Sequence, residues 1–141
     1  MDSNGSNGDN YAARKHATMI SYLRDNPSLL GLDGRVWFTS LEGSLKMGRG
    51  RGGEPDVVYI SRYPHKNGRV HEARVSILEY KCTDCDGQRR RAERMLRGYR
   101  GSFRHNLPTF LIDLFYSYGG EVEERKKGMI IVADPMVIPI N

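Results

Sequence analysis

The stretch EPDVVYISRYPHKNGRVHEARVSILEYK, residues 54–81, decides the fold because it reads as two strands joined by a tight turn. Asn67-Gly68 lies near its centre, and these two residue types tolerate the positive φ that a type I′ hairpin turn requires at both central positions. Counting outward from this turn, Asp56 falls directly opposite Glu79. The hairpin is therefore predicted to bring two carboxylates together.

This pairing of acids suggests a chemical role. Directly opposed residues of an antiparallel pair have Cβ atoms about 4.5 to 5.5 Å apart on one face of the sheet. Lys81 points to the same face as Glu79, because side chains alternate along a strand. Two such carboxylates repel unless a cation lies between them. Mg²⁺ is usually held by one or two carboxylates, with water and substrate phosphate completing its shell. Lys81 would then orient or deprotonate a water molecule, or stabilise charge on the phosphorus.

The same residues also fit a purely structural interpretation. An Asp at a strand start and a Glu-x-Lys at a strand end are ordinary surface features, and Glu79 with Lys81 would then form only a weak exposed ion pair. Whether the two acids lie on the same face of the sheet also depends on Pro64. A bulge at Pro64 would shift the register by one residue and put the acids on opposite faces of the sheet.

Around the hairpin, the sequence predicts one α/β domain with the element order α-β-β-β-α-β-β. Residues 1–9 are polar and rich in Gly and Asn, so we expect a disordered lead-in and a domain that spans residues 10–141. A first helix is predicted to begin near Asn10 and to end at Pro27. Its apolar stripe consists of Ala13, Ala17, Ile20 and Leu23.

The remaining strands are predicted from β-branched and aromatic content. Residues 35–47 begin as a strand, and the Gly-rich residues 48–55 cannot be regular structure. Residues 109–116, TFLIDLFY, lie in a region that fits a helix or a buried strand, and we interpret them as a strand. The apolar run at 128–140 contains two prolines, which place it at an edge or at the end of the sheet.

A second helix is predicted at residues 87–101, with Asp84 or Asp86 as its cap. Its residues separate into an apolar and a cationic side. The apolar side consists of Ala92, Met95, Leu96 and Tyr99, and the cationic side of Arg90, Arg94 and Arg97. The density of arginine favours binding to a nucleic-acid backbone without base-specific readout. Arg49 and Arg51 in the Gly-rich loop are either further phosphate contacts or part of a solvated loop.

The overall composition favours a polyanionic partner. The 141 residues include 22 Lys and Arg against 17 Asp and Glu, for a net charge of +5. No apolar run approaches the roughly 20 residues of a membrane span. The polar N-terminus has no signal-peptide h-region. We therefore expect a soluble, intracellular protein without membrane contact.

The cysteines and histidines carry less information. Cys82 and Cys85 are too few for a disulfide framework, and they supply only half of a tetrahedral zinc site unless a dimer shares it. The four histidines show no metal-ligand spacing, and the chemistry described above does not need them. They are His16, His65, His71 and His105.

Pro55-Asp56, followed by a hairpin and by Glu79-Tyr80-Lys81 after the apolar residues VSIL, resembles the PD-(D/E)XK nuclease superfamily. In size and element order the chain is similar to the small archaeal and viral Holliday-junction resolvases, and the resemblance covers most of the chain. It implies a restriction-endonuclease-like core, with a central mixed β-sheet flanked by helices. It also implies that the protein is located in the cytoplasm of a prokaryotic or virus-infected host cell.

The resemblance further implies a DNA endonuclease that acts on branched DNA as a homodimer. Asp56 and Glu79 would be ligands of Mg²⁺ or Mn²⁺, and Lys81 would be the catalytic lysine. Many relatives have a further acidic residue on the first helix; this sequence has no Glu there, and Glu42 is the best substitute. Gln88 lies where some relatives have a polar active-site residue, although a solvated helix start explains it equally well.

Two other functions remain open from the sequence. One is a noncatalytic nucleic-acid-binding protein that keeps the same fold and the same arginines. The other is a nuclease for linear duplex, flap or RNA substrates. Metal-dependent turnover separates the first from a nuclease, since a binding protein would show only salt-sensitive affinity.

Overall fold

The described part of the chain forms two helices and seven strands in the computed structural model, which describes residues 4–32, 36–41, 55–62, 73–106 and 110–141. The elements are α1 (Asn4–Asp25), a short 3-10 helix (Pro27–Leu30), β1 (Val36–Leu41), β2 (Val57–Arg62), β3 (Ala73–Lys81), α2 (Asp86–Asn106), β4 (Leu111–Tyr118), β5 (Glu121–Arg125), β6 (Gly128–Ala133) and β7 (Met136–Ile140). Five strands form a sheet in the order β1-β2-β3-β4-β7, and β5 and β6 form a separate hairpin. Because β3 is antiparallel to β2 and parallel to β4, the fold is α/β with a mixed central sheet, as predicted.

The register of β2 on β3 agrees with a two-residue turn at Asn67-Gly68. Val57 pairs with Leu78, and the pairing runs without a shift to Arg62 and Ala73. Both the turn and Pro64 lie outside the described residues. The described residues of β2 and β3 nevertheless pair in the register that places Asp56 directly opposite Glu79.

The sheet has an apolar core on each face. On one face, α2 contributes its fully or almost fully buried residues, which are Ala92, Leu96, Tyr99 and Phe103. On the other face, Met19, Ile20 and Leu23 of α1 pack against β2 and β3. The predicted apolar side of α2 is thus confirmed, with Met95 at its half-buried border. In the described residues neither helix is both long enough and apolar enough to cross a membrane.

The first helix differs from its prediction in two respects. It begins at Asn4, ahead of the predicted start at Asn10 and within the predicted lead-in. The prediction that Ala13 and Ala17 face the core is wrong, since both are exposed. The buried stripe contains Met19, Ile20 and Leu23 instead, because the larger side chains gain more from burial than alanine does.

The strand interpretation of residues 109–116 is confirmed, because they overlap β4. The apolar run at 128–140 is not one element, since Asp134 and Pro135 separate β6 from β7. The prolines did place β7 at the edge of the sheet as predicted. The sequence prediction missed β5, whose residues EVEER contain a single apolar side chain and therefore show no alternation.

The turn after β4 provides a test of the packing between α1 and the sheet. Gly120 has φ +79, and an added Cβ would lie 2.5 Å from Met19 Cε, 3.0 Å from the Pro135 nitrogen and 3.1 Å from the Ala133 oxygen. Because two of these atoms are backbone, we expect Gly120→Ala to lower the free energy of unfolding by about 2 to 5 kcal/mol, from left-handed strain plus overpacking. Unfolding by denaturant measures this loss in the free energy of unfolding.

Gly119 supplies the matched control. Its φ is +76, but an added Cβ would meet nothing within 4 Å. Gly119→Ala should therefore cost only the backbone strain, about 1 to 2 kcal/mol. Equal losses in the two variants would contradict the close packing at Gly120.

Candidate active site

Asp56 and Glu79 meet at one end of the central hairpin. The backbone pairing of β2 and β3 ends at Val57 and Leu78, and beyond it the acids continue the cross-strand hydrogen bonds. The Asp56 N–H donates to Glu79 Oε1 at 3.2 Å, and the Tyr80 N–H donates to Asp56 Oδ2 at 2.8 Å. Both residues are buried, with exposed fractions of 4% and 3%. Each carboxylate is therefore held in a fixed position by a backbone N–H group.

His16 on α1 reaches the same place from the other side of the sheet. Its Nε2 lies 3.8 Å from Asp56 Oδ2, and its ring meets the Tyr80 ring edge-on at 5.7 Å between centroids. His16 was not among the site residues predicted from the sequence. A signal was present, because His16 precedes Met19 and Ile20 by three and four positions and so shares their side of the helix.

Lys81 is the last residue of β3 and is half-buried. It lies two residues after Glu79, so the two side chains leave the same face of the sheet. On the neighbouring parallel strand, Tyr116 is the register partner of Glu79 and Tyr118 is the partner of Lys81. Two tyrosines of β4 thus accompany the acid and the lysine of β3 on one face.

Tyr116 is fixed in position by its surroundings. It is fully buried, and its hydroxyl donates to Asp84 Oδ1 at 3.1 Å. Desolvation, followed by the hydrogen bond to Asp84, raises the pKa of Tyr116 to about 12. Tyr118 stacks on it with ring centroids 5.6 Å apart and planes 29° apart. The helix α2 begins two residues later, with Asp86 in its first turn.

The arginines of α2 fall into two groups. Arg89 lies over the Tyr116 ring at 5.7 Å and also pairs with Glu93 at 3.4 Å. From the sequence, Arg89 belonged to the run of arginines predicted to bind a nucleic-acid backbone. Arg90 and Arg94 are exposed on the side of the helix away from the core, and neither forms an ion pair with a described residue. Arg97, on that same side, lies 3.6 Å from Glu93.

The other predicted site residues are less informative. Gln88 is exposed, and its Oε1 accepts a hydrogen bond from the Thr83 hydroxyl at 3.0 Å. Glu42, Arg49 and Arg51 lie outside the described residues. Cys82 and Cys85 are free thiols, half-buried and exposed respectively.

The donor set at the acids suits a hard divalent cation. Asp56 and Glu79 offer carboxylate oxygens, the ligand type that Mg²⁺ and Mn²⁺ prefer. Within the described ranges, no three His, Cys, Asp or Glu side chains are grouped to hold a metal ion. An ion held by these two carboxylates would therefore have to keep several waters or substrate oxygens.

Comparison with protein-family models, with curated proteins and with solved structures found no match to this chain. Its function must therefore be inferred from its own residues.

Proposed function

We propose that the protein is a Mg²⁺- or Mn²⁺-dependent DNA endonuclease with a restriction-endonuclease-like core, and that branched DNA of the Holliday-junction type is its substrate. The observation that carries this proposal is the pair of buried acids Asp56 and Glu79, each of which accepts a backbone N–H from the opposite strand, with Lys81 two residues after Glu79. The proposal includes a homodimer, which would present two sites to two strands. Light scattering of the purified protein measures that stoichiometry.

The burial of two acids argues for a function beyond structure. A neutral Asn or Gln could accept the same hydrogen bonds from the Tyr80 and Asp56 N–H groups. Burying a carboxylate instead is costly, because the charged form is separated from water. A bound cation would add to the contacts that these two charges already have, among them His16 Nε2 at 3.8 Å from Asp56 Oδ2.

Each side chain has a role in this chemistry. Asp56 and Glu79 would hold the metal ion, in positions that the backbone N–H groups have already set. The ion, when bound, polarises a phosphoryl oxygen and lowers the pKa of a bound water. The Lys81 ammonium, on the face that carries Glu79, would orient the attacking water and stabilise the negative charge that develops on the phosphate.

DNA binding would depend on the exposed side of α2. Arg90 and Arg94 make no ion pair with a described residue, so their charges can meet phosphates. We expect the double variant Arg90→Gln, Arg94→Gln to reduce the salt dependence of DNA affinity, with the log-log slope smaller by about 2. Titration by fluorescence anisotropy at several salt concentrations measures it.

The β5–β6 turn offers a matched control for this change. Lys126 and Lys127 are exposed there, and Lys126→Gln, Lys127→Gln removes the same charge. This control should leave the slope close to that of the wild type. An equal decrease in both double variants would show that net charge, and not the α2 surface, attracts DNA.

The decisive experiment incubates the protein with Mg²⁺ and a labelled panel of four-way junction, flap, linear duplex, single strand and RNA. Preferential cleavage of the junction is the expected result. Cleavage of linear duplex, flap or RNA instead would support the proposed nuclease activity and assign it a different substrate. Salt-sensitive binding without metal-dependent turnover would replace the proposal with a noncatalytic binding protein.

A further inference from the structure

We infer that Tyr118 forms a stacking subsite for an unpaired nucleobase beside the scissile phosphate. The inference rests on the proposed function and deepens it. It assigns the selection of unpaired or distorted DNA to a residue of β4, away from the acids themselves.

The register of the sheet places Tyr118 at the site. β3 and β4 are parallel, with Glu79 beside Tyr116 and Lys81 beside Tyr118. Register partners point to the same face of a sheet, so both rings lie on the face of Glu79 and Lys81. A nucleotide whose phosphate reached Lys81 would have its base within reach of the adjacent strand.

The two rings differ in what they can do. Tyr116 is fully buried and hydrogen-bonded to Asp84, so it is a fixed support. Tyr118 rests on it, and is itself half-buried at the end of β4. The next residues, Gly119 and Gly120, contribute no side chain over it. Tyr118 thus offers a supported aromatic surface at the strand end.

Arg89 adds a cation to this aromatic pair. Its guanidinium lies 5.7 Å from the centre of the Tyr116 ring, and its other contact is the half-buried Glu93. An aromatic surface, an arginine and a lysine together match the base and phosphates of one nucleotide. A base stacked within a duplex cannot offer its face to a side chain, whereas an unpaired base can. The subsite would therefore favour DNA with an unpaired nucleotide.

The test measures binding in EDTA, so that it does not depend on cleavage. The probes are a fully paired duplex and the same duplex with one unpaired 2-aminopurine. We expect the wild type to bind the second probe about 5- to 150-fold more tightly, the range that stacking of one base supplies. The 2-aminopurine fluorescence should be quenched on binding.

Two variants separate stacking from packing. Tyr118→Phe keeps the ring and should keep both the preference and the quench. Tyr118→Leu keeps apolar volume but loses the planar surface, so it should bind both probes with the affinity that the wild type has for the duplex. Thermal unfolding of each variant verifies that it is folded.

Equal affinity of the wild type for the two probes would overturn the inference, and so would a folded Tyr118→Leu variant with unchanged preference. If no substrate is cleaved but the protein still prefers the probe with the unpaired base and quenches its fluorescence, the stacking subsite is supported and the nuclease proposal is contradicted. If DNA is cleaved but the probe with the unpaired base is not preferred, the nuclease proposal is supported and the stacking subsite is contradicted.

Discussion

Asp56→Asn and Glu79→Gln are each expected to lower the rate of Mg²⁺-dependent DNA cleavage by about 10³-fold or more, which corresponds to about 4 kcal/mol of transition-state stabilisation. Both replacements keep an oxygen acceptor for the backbone N–H groups of Tyr80 and Asp56, so the hairpin should stay folded. What they remove is the negative charge that would attract the metal ion. Single-turnover cleavage of a labelled junction measures the rate.

Two further measurements locate the defect. Added Mg²⁺ should raise the melting temperature of the wild type, since a ligand that binds only the folded state stabilises it, and should do so less for either variant. DNA affinity in EDTA should stay near that of the wild type. Glu121→Gln removes an exposed acid on β5 and is the charge-matched control. An unchanged cleavage rate in Asp56→Asn or Glu79→Gln would contradict the proposed metal site.

Lys81→Met should lower the cleavage rate by about 10² to 10⁴-fold, the usual contribution of a positioned acid, base or electrostatic group. Methionine keeps much of the apolar stem of this half-buried side chain and removes the ammonium. The variant should still be stabilised by Mg²⁺ to the extent expected for the wild type, because the proposed mechanism does not use the lysine as a metal ligand. Cleavage kinetics and thermal unfolding with Mg²⁺ measure the two effects.

Lys127→Met provides the control, since Lys127 is exposed in the β5–β6 turn. It should cleave at the wild-type rate. An unchanged rate in Lys81→Met would exclude a catalytic lysine at this position. Loss of Mg²⁺ stabilisation in Lys81→Met would assign the lysine to the architecture of the metal site instead.

The central hairpin illustrates how far sequence can be taken. The predicted turn at Asn67-Gly68 and simple counting placed Asp56 against Glu79, and the β2–β3 register agrees. This worked because a two-residue turn and the alternation of a strand determine every later pair. The buried stripe of α2 was predictable for a similar reason, since helical periodicity repeats within a few residues.

The first helix shows where such reasoning fails. Small alanines at helical spacing resemble a buried stripe, yet Ala13 and Ala17 are exposed, and β5 carries no alternation to detect. Which side of α1 faces the sheet depends on how much area each side chain can bury against β2 and β3. That quantity belongs to the packed molecule and not to the helix alone.

The sequence by itself determined the order of the helices and strands as far as β4, the hairpin register and therefore the pairing of Asp56 with Glu79. Only the tertiary structure brought His16 to Asp56, set Tyr118 beside Lys81 and placed Arg89 over Tyr116. The physical reason is the range of the interactions. Turn geometry and periodicity act between near neighbours in the chain, whereas these contacts join a helix or strand to a distant one and form only when the core packs.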